Sequence, residues 1–161
     1  MPMEALLADE LPVGAGWLFE PKWDGFRCLA VREPAGVELW SKSGKPLGRY
    51  FPEVVATIER LASSRFILDG ELIIQQPEGL SFDALQLRLH PAASRIRKLA
   101  EQTPALVVVF DLLRIEYDDF TPRPLRERRA ALEQFIRRHR EPSLMLSPST
   151  SDRDKALGWL E

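Results

Sequence analysis

The run "TPALVVVFDLL" constrains the fold of this chain more than any other stretch. From Ala105 to Phe110 it is continuous, apolar and rich in β-branched residues, a composition that packs well on a pleated surface and poorly in a helix. It reads as a buried strand. A second run, "RFILDGELII", is almost wholly apolar after Asp69-Gly70 and reads as strand, Asp-Gly, strand.

The same grammar occurs earlier. "GWLFE" and "FRCLAVRE" are short β-prone runs joined by "PKWDG", whose Asp24-Gly25 is a hairpin signal. "VELWSKSG" follows the turn-like "EPAG", so the segment reads as a β-meander. "FPEVVATIERLA" then places Val54, Val55, Ile58 and Leu61 on one helical face, with Pro52 in the first turn. "LSFDALQLRL" predicts a helix capped by Ser81 and ended by Pro91, and "AASRIRKLAEQ" predicts another. "RPLRERRAALEQFIRRHR" is a helix opened by Pro124, with Leu125, Leu132, Phe135 and Ile136 facing inward and its interleaved charges forming an outer face. "EPSLMLSPSTS" reads as a connecting loop, and a last helix begins near Ser151 and runs into the chain end. The mixture is α+β, mostly antiparallel sheets flanked by helices.

Composition narrows the functions open to such a fold. The 161 residues suit one compact domain or a large piece of a bigger one. A net charge of −2 gives no global attraction to polyanions, so any nucleic-acid contact must come from a local patch. A single cysteine, Cys28, excludes an internal disulfide framework, and with only His90 and His139 beside it no cysteine or histidine cluster for a metal is available. Nothing resembles a leader or a membrane span, so a soluble, cytoplasmic protein without a membrane partner is expected.

Within "FEPKWDGFRCLAV" stands a cation in an otherwise apolar run. Lys22 alone reads as a solvated charge beside a turn. Its sharper reading is a nucleophile: in a tight hairpin Lys22, Asp24 and Arg27 can converge, and an amine partly desolvated beside an arginine loses its proton more readily. Amines attack carbonyl carbon or phosphorus. No glycine-rich phosphate loop or other sign of a pyridoxal site accompanies the lysine, whereas Arg27 suits a phosphate or a ribose edge and downstream carboxylates suit magnesium.

"KWDGFR" resembles the Lys-x-Asp-Gly-x-Arg motif of the covalent nucleotidyltransferases, which comprise ATP-dependent DNA ligases, RNA ligases and messenger-RNA capping enzymes. "LDGEL" and "VVFDLL" resemble the second and third signatures of that superfamily, in the same order and on predicted strands. "FEP", "SKSGKPLGRYFPEV", "FDALQLRLHP" and "RPLRERRAALE" are further similar to small bacterial DNA ligases of the end-joining type. The likeness covers nearly the whole chain. It implies a ligase adenylation domain over residues 1–161, with the nucleotide held between sheets.

The resemblance implies roles for particular residues. Lys22 would attack the α-phosphate of ATP, expel pyrophosphate and become an AMP-lysine adduct. Glu20 would meet the adenine amino group, Arg27 the ribose or the DNA end, and Phe110 would stack on adenine. Glu71 would hold a ribose hydroxyl or contribute to a magnesium or manganese site. Asp24 and Asp69 read as turn-formers, and Asp111 is not included in the site. Lys42 stands where the family more often has arginine, whose bidentate fork lysine cannot reproduce. The partner implied for the full-length protein is nicked or broken double-stranded DNA.

One departure matters. The Glu-Gly and lysine-bearing signatures expected after the Phe-Asp strand have no match beyond Asp111, and "PEGLS" at Glu78-Gly79 lies ahead of Phe110 without the lysine. No OB-fold domain is expected within residues 1–161. The expectation is therefore an incomplete adenylation domain, self-adenylating feebly and unable to seal strands, or alternatively a non-catalytic nucleotide-binding or protein-interaction module.

Overall fold

The computed structural model describes residues 2–4, 8–90 and 92–160. Its centre is a six-stranded sheet in the order β2 (Gly36–Ser41), β1 (Phe26–Glu33), β3 (Phe66–Ile73), β6 (Leu106–Ile115), β7 (Asp118–Asp119). The pairs along this path are antiparallel, while β8 (Leu144–Leu146) runs parallel to the first half of β6. A small hairpin, β4 (Gln75–Gln76) and β5 (Gly79–Leu80), stands apart from it. The α+β reading holds.

Period-two alternation decides which face does what. Cys28, Ala30, Phe66, Leu68, Leu72, Val107, Val109 and Leu112 all belong to the apolar core. Against them pack Val54 and Ile58 of α1 (Pro52–Glu59) and Leu132 and Phe135 of α4 (Leu125–Arg138). Phe66 meets Phe135 edge-on at 4.9 Å between ring centroids. The residues between these core positions, among them Arg27, Asp69 and Glu71, belong to the opposite face.

The ladder between β3 and β6 shifts register twice, and the shift between Asp69 and Gly70 bears on the site. Gly70 pairs with Val109 and Asp69 with Asp111, so Phe110 is an extra residue in the ladder. Such a bulge turns two successive side chains to one side, and both Phe110 and Asp111 are thereby delivered to the polar face while Val109 and Leu112 stay in the core.

The predicted helices form with small changes of extent. Ser81 caps α2 (Phe82–Arg88), its hydroxyl accepting from the Ala84 amide at 3.2 Å. Pro91, expected to end that helix, lies outside the described residues. Helix α3 (Ala93–Gln102) buries Ile96. The last helix, α5 (Arg153–Leu157), is capped by Asp152 and stops at Gly158, so it does not run into the chain end.

One strand expectation and one loop expectation fail here. "GWLFE" is not a strand paired with β1; Phe19 instead bridges Thr150 through reciprocal backbone hydrogen bonds of 2.8 and 2.9 Å. "SLMLS" is not a plain loop but holds β8, too short to show a period and supported by β6 rather than by its own pattern.

Candidate functional site

Neither Asp-Gly pair makes the turn its sequence suggests. Asp69 and Gly70 lie inside the continuous strand β3, and Asp24-Gly25 leads directly into β1. Both glycines serve close approach. A Cβ on Gly70 would stand 2.5 Å from the Val108 carbonyl oxygen, and one on Gly25 would stand 2.2 Å from the Leu72 carbonyl oxygen and 2.8 Å from Glu71 Cγ. The bare backbone at Gly25 therefore lets the Lys22 loop lie on β3 beside Glu71.

Asp69 is a buried carboxylate, not a turn-former. Arg27 grips it with both ends of a fork, Nε donating to Oδ1 at 3.0 Å and Nη2 to Oδ2 at 2.6 Å. Arg27 Nη2 also donates to the Met3 carbonyl at 2.6 Å. Burial pushes the Asp69 carboxyl above its usual range, although Arg27 opposes the shift. The Arg27 guanidinium stands over the Phe110 ring, 5.5 Å from its centroid.

Glu71 is the cross-strand partner of Arg27. Burial pushes its carboxyl up to about 7, against the pull of Arg27 and Lys22 and with the repulsion of Asp69 and Asp24 added. Lys22 and Asp24 thus share the neighbourhood of Glu71. Lys22 itself is exposed, where partial desolvation was expected. Trp23 turns inward, its indole N–H donating to Ser147 Oγ at 3.0 Å, and this leaves the residues on either side facing outward.

Glu20 sits among Arg129, Asp111 and Ser147. Its Oε1 accepts from Arg129 Nη1 at 3.1 Å, and the Ser147 hydroxyl lies beside it. Burial nevertheless pushes its carboxyl up to about 7. Arg129 belongs to α4, and so does Arg128, which grips Asp111 with contacts of 2.9, 3.1 and 2.9 Å. These two arginines are 7% and 6% exposed, so the arginine-rich helix is not only a solvated outer face. Arg126, Arg137 and Arg138 keep that role. Sequence reasoning missed Arg128, Arg129 and Asp111; for the two arginines the available signal was their place one turn before Leu132 on the helix face already assigned to the core.

Beside Glu71 opens a cleft of about 1090 Å³, lined among others by Arg27, Glu71, Lys42, Lys45, Arg49 and Tyr50. Among the described residues no cluster of three or more acidic, histidine or cysteine side chains is arranged to hold a metal ion, and no helix is long and apolar enough to cross a membrane.

The family described as "ATP dependent DNA ligase domain" matches residues 7–161. The chain belongs to the ATP-dependent DNA ligase family. It is 47% identical over 158 residues to DNA ligase C2 of Mycolicibacterium smegmatis, covering 98% of this chain and 44% of that protein. It is 45% identical over 161 residues to DNA ligase C of Mycobacterium tuberculosis, with 98% and 44% covered. Among solved structures it resembles a mycobacterial DNA ligase D complexed with ATP and MES, at 28% identity and a TM-score of 0.71, over 88% of this chain and 43% of that one. The chain spans less than half the length of these ligases.

Proposed function

We propose that this chain carries the nucleotide site of an ATP-dependent DNA ligase, and that Lys22 is its nucleophile. The Lys22 nitrogen attacks the α-phosphorus of ATP; an N–P bond forms, the bond from that phosphorus to the bridging oxygen breaks, and pyrophosphate leaves. The amine gives up its proton to water or to a neighbouring carboxylate. The product is AMP joined to lysine as a phosphoramidate. Joining nicked or broken duplex DNA with that AMP is proposed for a protein of the relatives' full length.

One observation carries this reading: the bare Gly25 backbone, with no room for a Cβ against Leu72 and Glu71, seats the Lys22 loop on the strand that bears Glu71. Side chains suited to the implied contacts support the reading. Phe110 offers a ring for the purine, held under Arg27. Glu20 offers an acceptor for an exocyclic amine. Lys42, Lys45 and Arg49 give the cleft the local positive charge that a net charge of −2 does not provide.

A magnesium or manganese ion fits this donor set only in part. Magnesium is commonly held by one or two carboxylates together with substrate phosphates and water, and Glu71 supplies one carboxylate where the loop of Lys22 meets β3. The ion would neutralise charge on the departing pyrophosphate. Glu71, with its carboxyl near 7, would hold it better above neutrality than below.

The test is incubation with magnesium and ATP labelled at the α-phosphate. Acid releases the label from a phosphoramidate but not from a phosphoester, so the adduct should be acid-labile and base-stable, and Lys22→Ala should abolish it. Nucleotide binding with no adduct would leave a non-catalytic nucleotide-binding module instead.

A further inference from the structure

Glu20 precedes Lys22 by two residues, yet the group that holds it comes from the far end of the chain. Each of the three nitrogens of Arg129 has an acceptor: Nη1 on Glu20 Oε1 at 3.1 Å, Nη2 on the Ser147 carbonyl at 2.6 Å and Nε on Glu133 Oε1 at 3.2 Å. A lysine presents donors from a single point and cannot span those separated acceptors. Next to it Arg128 is tied to Asp111 and to the Arg123 carbonyl, which fixes the register of α4 against β6. Arg129 is therefore locked before any ligand arrives.

We propose that Arg129 is a positioning residue for base recognition: it fixes the Glu20 carboxylate so that an adenine amino group, and not a C6 carbonyl, is accepted at the nucleotide site. The inference rests on the nucleotide-site reading above. In its ionised form, held in place by Arg129, the carboxylate can only accept a hydrogen bond, so it pairs with the 6-amino group of adenine and repels the carbonyl oxygen of hypoxanthine. The groups facing Glu20 are Arg129 from α4, Asp111 from β6 and the Ser147 hydroxyl after β8. Of these only Arg129 is a cation, and it favours the acceptor-only form most, with the Ser147 hydroxyl adding to it and burial and Asp111 opposing.

The experiment is calorimetric titration with ATP and with inosine triphosphate, without divalent metal, for the unaltered chain, Glu20→Ala, Arg129→Ala and Arg129→Lys, each checked for cooperative thermal unfolding. The unaltered chain should prefer ATP. Glu20→Ala and Arg129→Lys should each lose about tenfold to a hundredfold of that preference, through weaker ATP binding, with inosine triphosphate held within about twofold. Combining Glu20→Ala with Arg129→Lys should cost no further preference. If Arg129→Ala does not fold, Arg129→Lys carries the test. Equal weakening of both nucleotides by Arg129→Lys, or an unchanged preference, overturns the role of Arg129 while a loss in Glu20→Ala leaves the nucleotide site standing. An unaltered chain that binds neither nucleotide, or a Glu20→Ala variant with full preference, removes the site reading and this one with it.

Discussion

Arg128 and Asp111 form a buried, bidentate pair: Nε reaches Oδ1 at 2.9 Å and Nη2 reaches Oδ2 at 2.9 Å, with the side chains 8% and 1% exposed. The pair joins α4 to the bulged stretch of β6 that also presents Phe110. Removing one partner strands the other charge in the interior. Asp111→Ala should therefore destabilise the chain by about 3–5 kcal/mol, whereas replacing both residues by apolar side chains of similar volume should recover most of that loss. Urea unfolding of the single and double variants measures the difference.

Gly25→Ala addresses the contact that seats the Lys22 loop. Its new Cβ would meet backbone oxygen at 2.2 Å, and a strand carbonyl cannot swing aside as a flexible side chain can. The start of β1 must lift from β3, at a cost of about 1–3 kcal/mol. Lys22 labelling by ATP should fall far more than stability does, because attack depends on the loop's placement. Parallel labelling and thermal unfolding separate the effects, and labelling that survives at full strength would break the link between Gly25 and the chemistry.

Phe110→Ala should weaken binding of ATP and of inosine triphosphate alike, by about 1–3 kcal/mol, because stacking on an aromatic ring tolerates any base. The contrast with Glu20→Ala, expected to discriminate between them, distinguishes the ring's role from the carboxylate's. Calorimetric titration of both variants provides the comparison.

The pH dependence of stability has a definite sign. Glu20 and Glu71 both titrate near 7 in the folded chain against an ordinary value of 4.5. Between those values the folded state binds more protons than the unfolded state, so these two groups make stability fall as pH rises from about 4.5 to about 7. Melting temperatures across that interval should decline, and Glu71→Gln, which cannot ionise, should flatten the decline.

How much of this was legible in the sequence differs from residue to residue. The strand at Val107 to Val109 announced itself because continuous β-branched residues have few other uses, and the helix at Val54 and Ile58 because its period is helical. The Asp-Gly pairs misled. A dipeptide's turn preference is local, whereas Gly25 and Gly70 answer to a carbonyl on a neighbouring strand that no local window contains. The motif residues Arg27, Glu71 and Phe110 came together because strand register aligned the first two and a bulge redirected the third. The bulge has no residue signature here. Nor did charge spacing along α4 show that Arg128 and Arg129 turn inward, since their acceptors Asp111, Glu20 and Ser147 lie elsewhere in the chain. The expected dryness of Lys22 rested on a hairpin that does not form.

The most direct test of the account is a crystal structure of this chain with an ATP analogue whose α,β-bridging oxygen is replaced by methylene, so that no transfer occurs. The account predicts the purine against Phe110, its amino group at Glu20, the ribose toward Glu71 and the α-phosphorus within reach of the Lys22 nitrogen. A nucleotide bound with its α-phosphate remote from Lys22, or with the purine away from Phe110, would contradict it.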